Sequence, residues 1–216
     1  MPRALQTALL VAPLLLPAAP AAAAQTPQTL LLELRVFNGH EEVTNQTRVF
    51  VHRAGDRGTP IAEAGGGPSR IELKVEEGIY DVQAVQEKDG QVVNIQWAQR
   101  LVVMAYPDEA GRHLEVLNFR HGFGALQIRA SDGSTPGVSI HEPGATNKEA
   151  AAVVGGAGYS LFVVPAGVYE VAVKRGEKPP VRHPNIEVPK ERTRLWIVPP
   201  DKSLSAGTAG HPREDR

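Results

Sequence analysis

Laid against itself with an offset of 89 residues, the chain repeats: residues 48–84 align without a gap to residues 137–173. Ten positions are identical at that register, among them Val49/Val138, His52/His141, Gly66-Gly67/Gly155-Gly156, Gly78/Gly167, Tyr80/Tyr169 and Val82/Val171. Val51/Ile140, Leu73/Phe162, Ile79/Val168 and Asp81/Glu170 fill the same frame conservatively. On the flanks, Leu32–Phe37 is matched to Ala125–Ala130 and Leu114–Phe119 to Arg194–Pro199. Self-similarity at one fixed period means one supersecondary design built twice. The reading is an internal duplication giving two domains, residues 28–119 and 120–199. They meet across Asn118–Gly124, a connector short enough to restrict relative motion without fixing it.

Each copy is patterned as strands. Ile71-Glu72-Leu73-Lys74-Val75-Glu76 alternates apolar with charged residues, the period of a strand with one buried face. Tyr80, Val82 and Ala84 alternate with Asp81 and Gln83, and Leu114 and Val116 flank Glu115. In the second copy Leu126, Ile128 and Ala130 alternate with Gln127 and Arg129, and Tyr169, Val171 and Val173 with Glu170 and Ala172. Asn38-Gly39, Asp89-Gly90, Asp132-Gly133 and the Pro165-Ala166-Gly167 corner punctuate these runs as turns do. No stretch keeps a helical period with caps. The fold class is therefore all-β, with two tandem antiparallel β-sandwiches of six or seven short strands each.

The ends carry no such pattern. Residues 1–24 combine Arg3, an apolar run from Ala8 to Leu16 and small residues at Ala22 and Ala24, which read as an export signal cleaved after Ala24. Pro13, Pro17 and Pro20 interrupt that run, and it falls short of the roughly 20 residues a spanning helix needs. The expectation is a periplasmic or secreted protein with no transmembrane anchor after cleavage. Residues 200–216 are expected to be a disordered tail. The chain has no cysteine, so an exported protein of this kind is held by strand pairing and aliphatic packing without disulfides.

The stretch from Tyr159 to Val173, YSLFVVPAGVYEVAV, and its twin from Ile71 to Ala84 resemble the strand, P-x-G, Y-x-V-x-V hairpin of carboxypeptidase-regulatory-like and PEGA-like modules. The resemblance implies transthyretin-like (prealbumin-like), Ig-related sandwiches of exported bacterial proteins, serving non-catalytically in binding, spacing or assembly. Glu76-Glu77 stand where the second copy has Pro165-Ala166, so the first copy departs from the pattern there. Gly78 with Tyr80 and Gly167 with Tyr169 form a structural corner, each ring buried and each hydroxyl reaching a backbone group.

Chemistry is harder to find. His52 and His141 are the repeated polar identity and the candidate metal ligands, but Arg53 in one copy faces Glu142 in the other and no further ligand recurs. With Val51 and Ile140 turned inward, strand parity puts both imidazoles on the outer, solvated face. His40, His113, His121, His183 and His211 fall in expected turns or tails, and Gly65-Gly66-Gly67 and Gly155-Gly156 read as flexible loops. No nucleophile elbow, zinc-protease helix motif or phosphate-cradling loop occurs, which sets the expectation of a non-enzyme without cofactors. Trp97 and Trp196 are the residues on which an alternative carbohydrate-binding reading rests.

Residues 31–119 hold 9 basic and 14 acidic side chains, whereas residues 120–199 hold 10 and 7. The near-neutral whole is thus an acidic unit beside a basic one, which suits mutual attraction and gives no concentrated nucleic-acid groove. The functional expectation is an exported binding, spacer or assembly module at the cell envelope. Its partner would be an envelope protein or glycan, with strand edges available for β-augmentation and self-association.

Overall fold

The structure is a computed structural model that describes residues 28–199 except 66, 68–69, 106–110, 133, 146–147 and 157. The expected export signal and tail lie outside the described residues. Among the described residues there are fifteen strands and one short 3₁₀ turn joined by turns and loops, so the fold is all-β.

The first unit comprises β1 (Thr29–Asn38), β2 (Glu41–Glu42), β3 (Thr47–Arg53), β4 (Ala62–Gly65), β5 (Ile71–Glu76), β6 (Gly78–Lys88), β7 (Gln91–Val103) and β8 (Arg112–Asn118). One of its sheets joins β8, β1, β5 and β2, and the other runs β4-β3-β6-β7. The second unit comprises β9 (Phe123–Ala130), β10 (Gly137–His141), β11 (Val154–Gly156), β12 (Tyr159–Pro165), β13 (Gly167–Lys174), β14 (Val181–Val188) and β15 (Thr193–Val198). Its sheets run β11-β12-β9-β15 and β10-β13-β14.

Most pairs are antiparallel, but the last strand of each unit returns parallel to the first, β8 on β1 and β15 on β9. Alternation alone does not distinguish the two pairings, because side-chain period is the same in both.

Strand register also corrects the flanking matches by one residue. Leu32 pairs with Leu73 as Leu126 pairs with Phe162, and Leu32 sits beside His113 as Leu126 sits beside Arg194. The equivalent of Leu32 is therefore Leu126, not Ala125, and that of His113 is Arg194. A one-residue slip exchanges the two faces of a strand, and only this register puts Leu32 and Leu126, and likewise Leu117 and Val198, into matching cores.

Three apolar clusters hold the molecule. Leu30, Leu32, Leu34 and Val36 of β1 meet Val49, Val51, Val82 and Leu101 inside the first sandwich. Leu126, Ile128, Phe162 and Val164 meet Ile140, Tyr169, Val171 and Val188 inside the second. The third lies between the units, where Phe37, Leu114 and Val116 pack on Phe123, Ala125, Tyr159, Leu161 and Val163. The sheets thus stack in four layers, and the two inner sheets are covered on both faces where they meet.

That stacking explains why β1 is buried along most of its length, and why β12 is buried from Tyr159 to Val164, while β5 alternates strictly. A strand buried on both faces loses its alternation. Gln127, expected to face outward, does so, but onto the other sandwich, and is fully buried.

The connector is held rather than loose. Asn118 ends β8 with a reciprocal pair: its Oδ1 accepts from the Gly39 N–H at 2.9 Å and its Nδ2 donates to the Gly39 carbonyl at 2.8 Å. The Phe119 N–H donates to the Phe37 carbonyl, and the Ala166 N–H to that of Gly122. A fully buried apolar side chain contributes about 1.5–3 kcal/mol, so the shared cluster outweighs the freedom of so short a link.

Candidate binding site

β7 is the longest strand and an edge, pairing with β6 alone among the described residues. From Gln91 to Gln99 it has no charge, proline or glycine. Ile95 is 56% exposed, Val92 55% and Val93 47%. The hairpin turns tightly at Asp89 and Gly90, both with positive φ, a conformation that suits Asp-Gly. Bulges opposite Asp81 and beside Glu87 bound the segment in which pairing with β6 is regular.

Along its unpaired side runs an open groove of about 500 Å³. Ile95–Gln99 form one wall, Val116–Asn118 with Phe123 the floor, and His121 with Lys190–Arg192 the far wall. Both units therefore build it. Arg192 donates through Nη2 to the Gln99 carbonyl at 2.7 Å, tying the basic wall to the edge strand. The Val116 N–H donates to Thr193 Oγ1 at 2.8 Å, and the Thr193 N–H to Glu115 Oε2 at 3.2 Å, which closes the β8 edge.

Among the described residues β10 (five residues, no charge) and β15 (six, with Arg194) are also edges, both shorter than β7, and the others differ from it further. β2, β4 and β11 are two, four and three residues long. β5 carries Glu72, Lys74 and Glu76, and β14 carries Arg182, Pro184 and Glu187 with a bulge at Asn185. Short length, charge, proline and bulges are the ordinary guards of a sheet edge.

A buried network fixes the groove by fixing the units. Tyr159 donates its hydroxyl to Glu33 Oε1 at 2.7 Å across the interface. Arg35 donates twice to Glu42, at 3.0 and 2.6 Å, and once to the Gly155 carbonyl at 3.1 Å. Burial and the Glu33 carboxylate push the Tyr159 phenol up to about 12. The phenol therefore stays a donor at any ordinary pH. Gly155 and Gly156, read as a flexible loop, lie in β11, and Gly65 lies in β4. A Cβ on Gly156 would stand 2.0 Å from the Tyr159 ring, so glycine serves close approach there rather than mobility.

The histidines need correction. His52 and His141 do lie on the outer faces opposite Val51 and Ile140, but they are buried, 5% and 6% exposed. His141 is satisfied by Ser139 Oγ at 2.8 Å and the Lys148 carbonyl at 3.1 Å. Neither ring nitrogen of His52 has a hydrogen-bond partner; Trp97 lies beside it, ring centroids 5.4 Å apart. The two sit in separate sheets of separate units, and no group of three or more metal-ligating side chains occurs among the described residues. His113 and His183, expected in turns, are in β8 and β14, while His211 lies outside the described residues.

Trp97 is flanked by His52 and by the Arg57 guanidinium, 4.9 Å from its ring centroid. Trp196 packs against the second core with His183 edge-on at 5.1 Å. They belong to different sheets and form no common platform. Beside His52, the N–H groups of Arg100 and Gly55 hold the Asp81 carboxyl below the usual carboxylate range. At the corners Tyr80 donates to the Glu76 carbonyl and Tyr169 to that of Pro165, each at 2.7 Å; Gly78 and Gly167 lie against the rings.

No family model and no curated protein matches the chain. Among solved structures it is similar to the Bacillus anthracis TIE protein, with 14% identity over 79% of this chain, 33% of that chain and a TM-score of 0.30. It is also similar to a candidate adhesin from Bacteroides ovatus, with 10% identity over 82% of this chain, 91% of that chain and a TM-score of 0.29. The chain spans about a third of the TIE protein's length. Likeness at this level leaves the functional reading to the molecule's own geometry.

Proposed function

We propose that this chain is an exported, non-catalytic assembly module of transthyretin-like, carboxypeptidase-regulatory-like sandwiches, acting at the cell envelope by strand addition to β7. The observation that carries the reading is the edge of β7, uncharged from Gln91 to Gln99 and regularly paired to β6 from Asn94 to Ala98, which lies beside a groove and is longer than any other edge free of charge and proline among the described residues. An extended segment laid there continues the sheet through backbone hydrogen bonds, which supply affinity without a deep pocket. The fixed joint suits the role, because the groove needs both units in one arrangement. The carbohydrate alternative draws less support, since Trp97 already has Arg57 and His52 against it.

The test is amide hydrogen exchange of the whole chain, compared between the dilute chain alone and the chain with either an excess of itself or envelope extract from its host. Slowed exchange concentrated in residues 91–99 is the expected result. Protection confined to the β10-β13-β14 sheet, or none at all, would remove the reading.

A further inference from the structure

We propose that the occupant of the β7 edge is a second copy of this chain, paired antiparallel across a two-fold axis at Ile95. This rests on the strand-addition reading and names its partner.

Ile95 is the centre of the uncharged run Gln91–Gln99. An axis there sets Gln91 opposite Gln99 and Val93 opposite Trp97 of the mate, so no like charges meet along the run. Each copy lays Gln91–Ile95 into the other's groove, whose floor is Val116, Leu117 and Phe123. Val93 and Ile95 share the outer face of the sheet with Trp97, so pairing sets Ile95 against Ile95 and Val93 beside the mate's Trp97, and these exposed side chains are partly covered.

The flanks match by charge. At the hairpin tip Glu87 and Asp89 outnumber Lys88. Antiparallel pairing brings that tip alongside Arg100 and Arg192 of the mate, and Arg192 is already fastened to the edge through the Gln99 carbonyl. One segment thus provides apolar cross-strand pairs along the joint and the acidic complement for the basic wall. A two-fold interface uses the same patch on both subunits, so it closes as a dimer and leaves neither β7 edge open.

The absence of cysteine makes the test clean, since an introduced thiol can meet only its own mate. Under mild oxidation Ile95→Cys is expected to yield a disulfide-linked dimer. Val102→Cys, also exposed on β7 but far from its mate, is expected to stay monomeric. Sedimentation velocity of the wild type from micromolar to millimolar concentration should show a monomer–dimer equilibrium. Ile95→Lys, which sets two ammonium groups on the axis, should raise the dissociation constant roughly tenfold. Arg192→Glu should weaken association in the same direction with the fold retained by circular dichroism. A wild type monomeric throughout, or equal cross-linking at 95 and 102, overturns the proposal. Strand addition then survives only where envelope extract still protects β7 from exchange; without that protection both readings fall.

Discussion

The two units share a plan and part company at their hairpins. β6 and β7 have 11 and 13 residues and end in an edge uncharged from Gln91 to Gln99, whereas β13 and β14 have 8 each and end in an edge carrying Arg182, Pro184 and Glu187. The segments after β3 and β10 diverge too: β4 pairs with β3 in the outer sheet, while β11 crosses to pair with β12 in the inner one. That crossing brings Gly155 to Arg35 and leaves room for the Tyr159 ring over Gly156. The second unit is thus shaped to dock against the first, and the first to present an edge. The difference teaches that two sandwiches with matching cores can assign separate tasks to their edges.

The largest effect expected from equivalent positions comes at Leu30 and Gly124. Leu30 is buried in the first core, but a Cβ on Gly124 would stand 1.9 Å from the Pro189 carbonyl oxygen. Gly124→Ala should therefore cost about 3 kcal/mol by overpacking and Leu30→Ala a similar amount by leaving a cavity. Calorimetry checks both, and a single shared transition is expected because the third cluster joins the units. Two separate transitions would break the picture of one docked body.

Tyr159→Phe removes the donor to buried Glu33 and should cost about 1–3 kcal/mol in urea unfolding. Its raised pKa adds a pH signature. Between about 10, where an unfolded tyrosine ionises, and about 12, the folded chain retains a proton that the unfolded chain has lost, so stability falls as pH rises. The Phe variant should show a shallower decline in that window; Tyr80 and Tyr169, also raised by burial, keep part of it.

The equivalent histidines should respond unequally. His141→Leu abandons two hydrogen-bond contacts and should cost about 1–2 kcal/mol, while His52→Leu replaces an unpartnered buried ring and should lie within about 0.5 kcal/mol of wild type or be stabilising. Equal losses would show that His52 has a partner in solution. The most symmetric effect is expected at the corners. Tyr80→Phe and Tyr169→Phe each lose one hydrogen bond at 2.7 Å and should each cost about 1 kcal/mol.

Much of the fold is legible because it is local. Ile71–Glu76 alternates since only one face is covered, and Asp89-Gly90 turns because both positions take positive φ. The site is less so. The uncharged run in β7 is visible in sequence, but its being an edge is not, since edge and interior strands share one period. Arg192 is about a hundred residues from Gln99, and nothing local predicts their contact. His52 was misplaced for the same reason: parity gives the face of a strand but not what covers it, and Trp97 covers it from another strand.

The sequence by itself determined that the chain is all-β, which faces of β5, β6 and β13 turn to a core, and that cysteine takes no part, because these depend on period and residue type. Tertiary structure alone decided the parallel return of β8 and β15, the one-residue register of the flanks, and the four-layer stack in which Glu33 meets Tyr159 and β7 meets a groove. Those outcomes depend on contacts between distant segments. Their energies come from burial and pairing that exist only once the chain has closed.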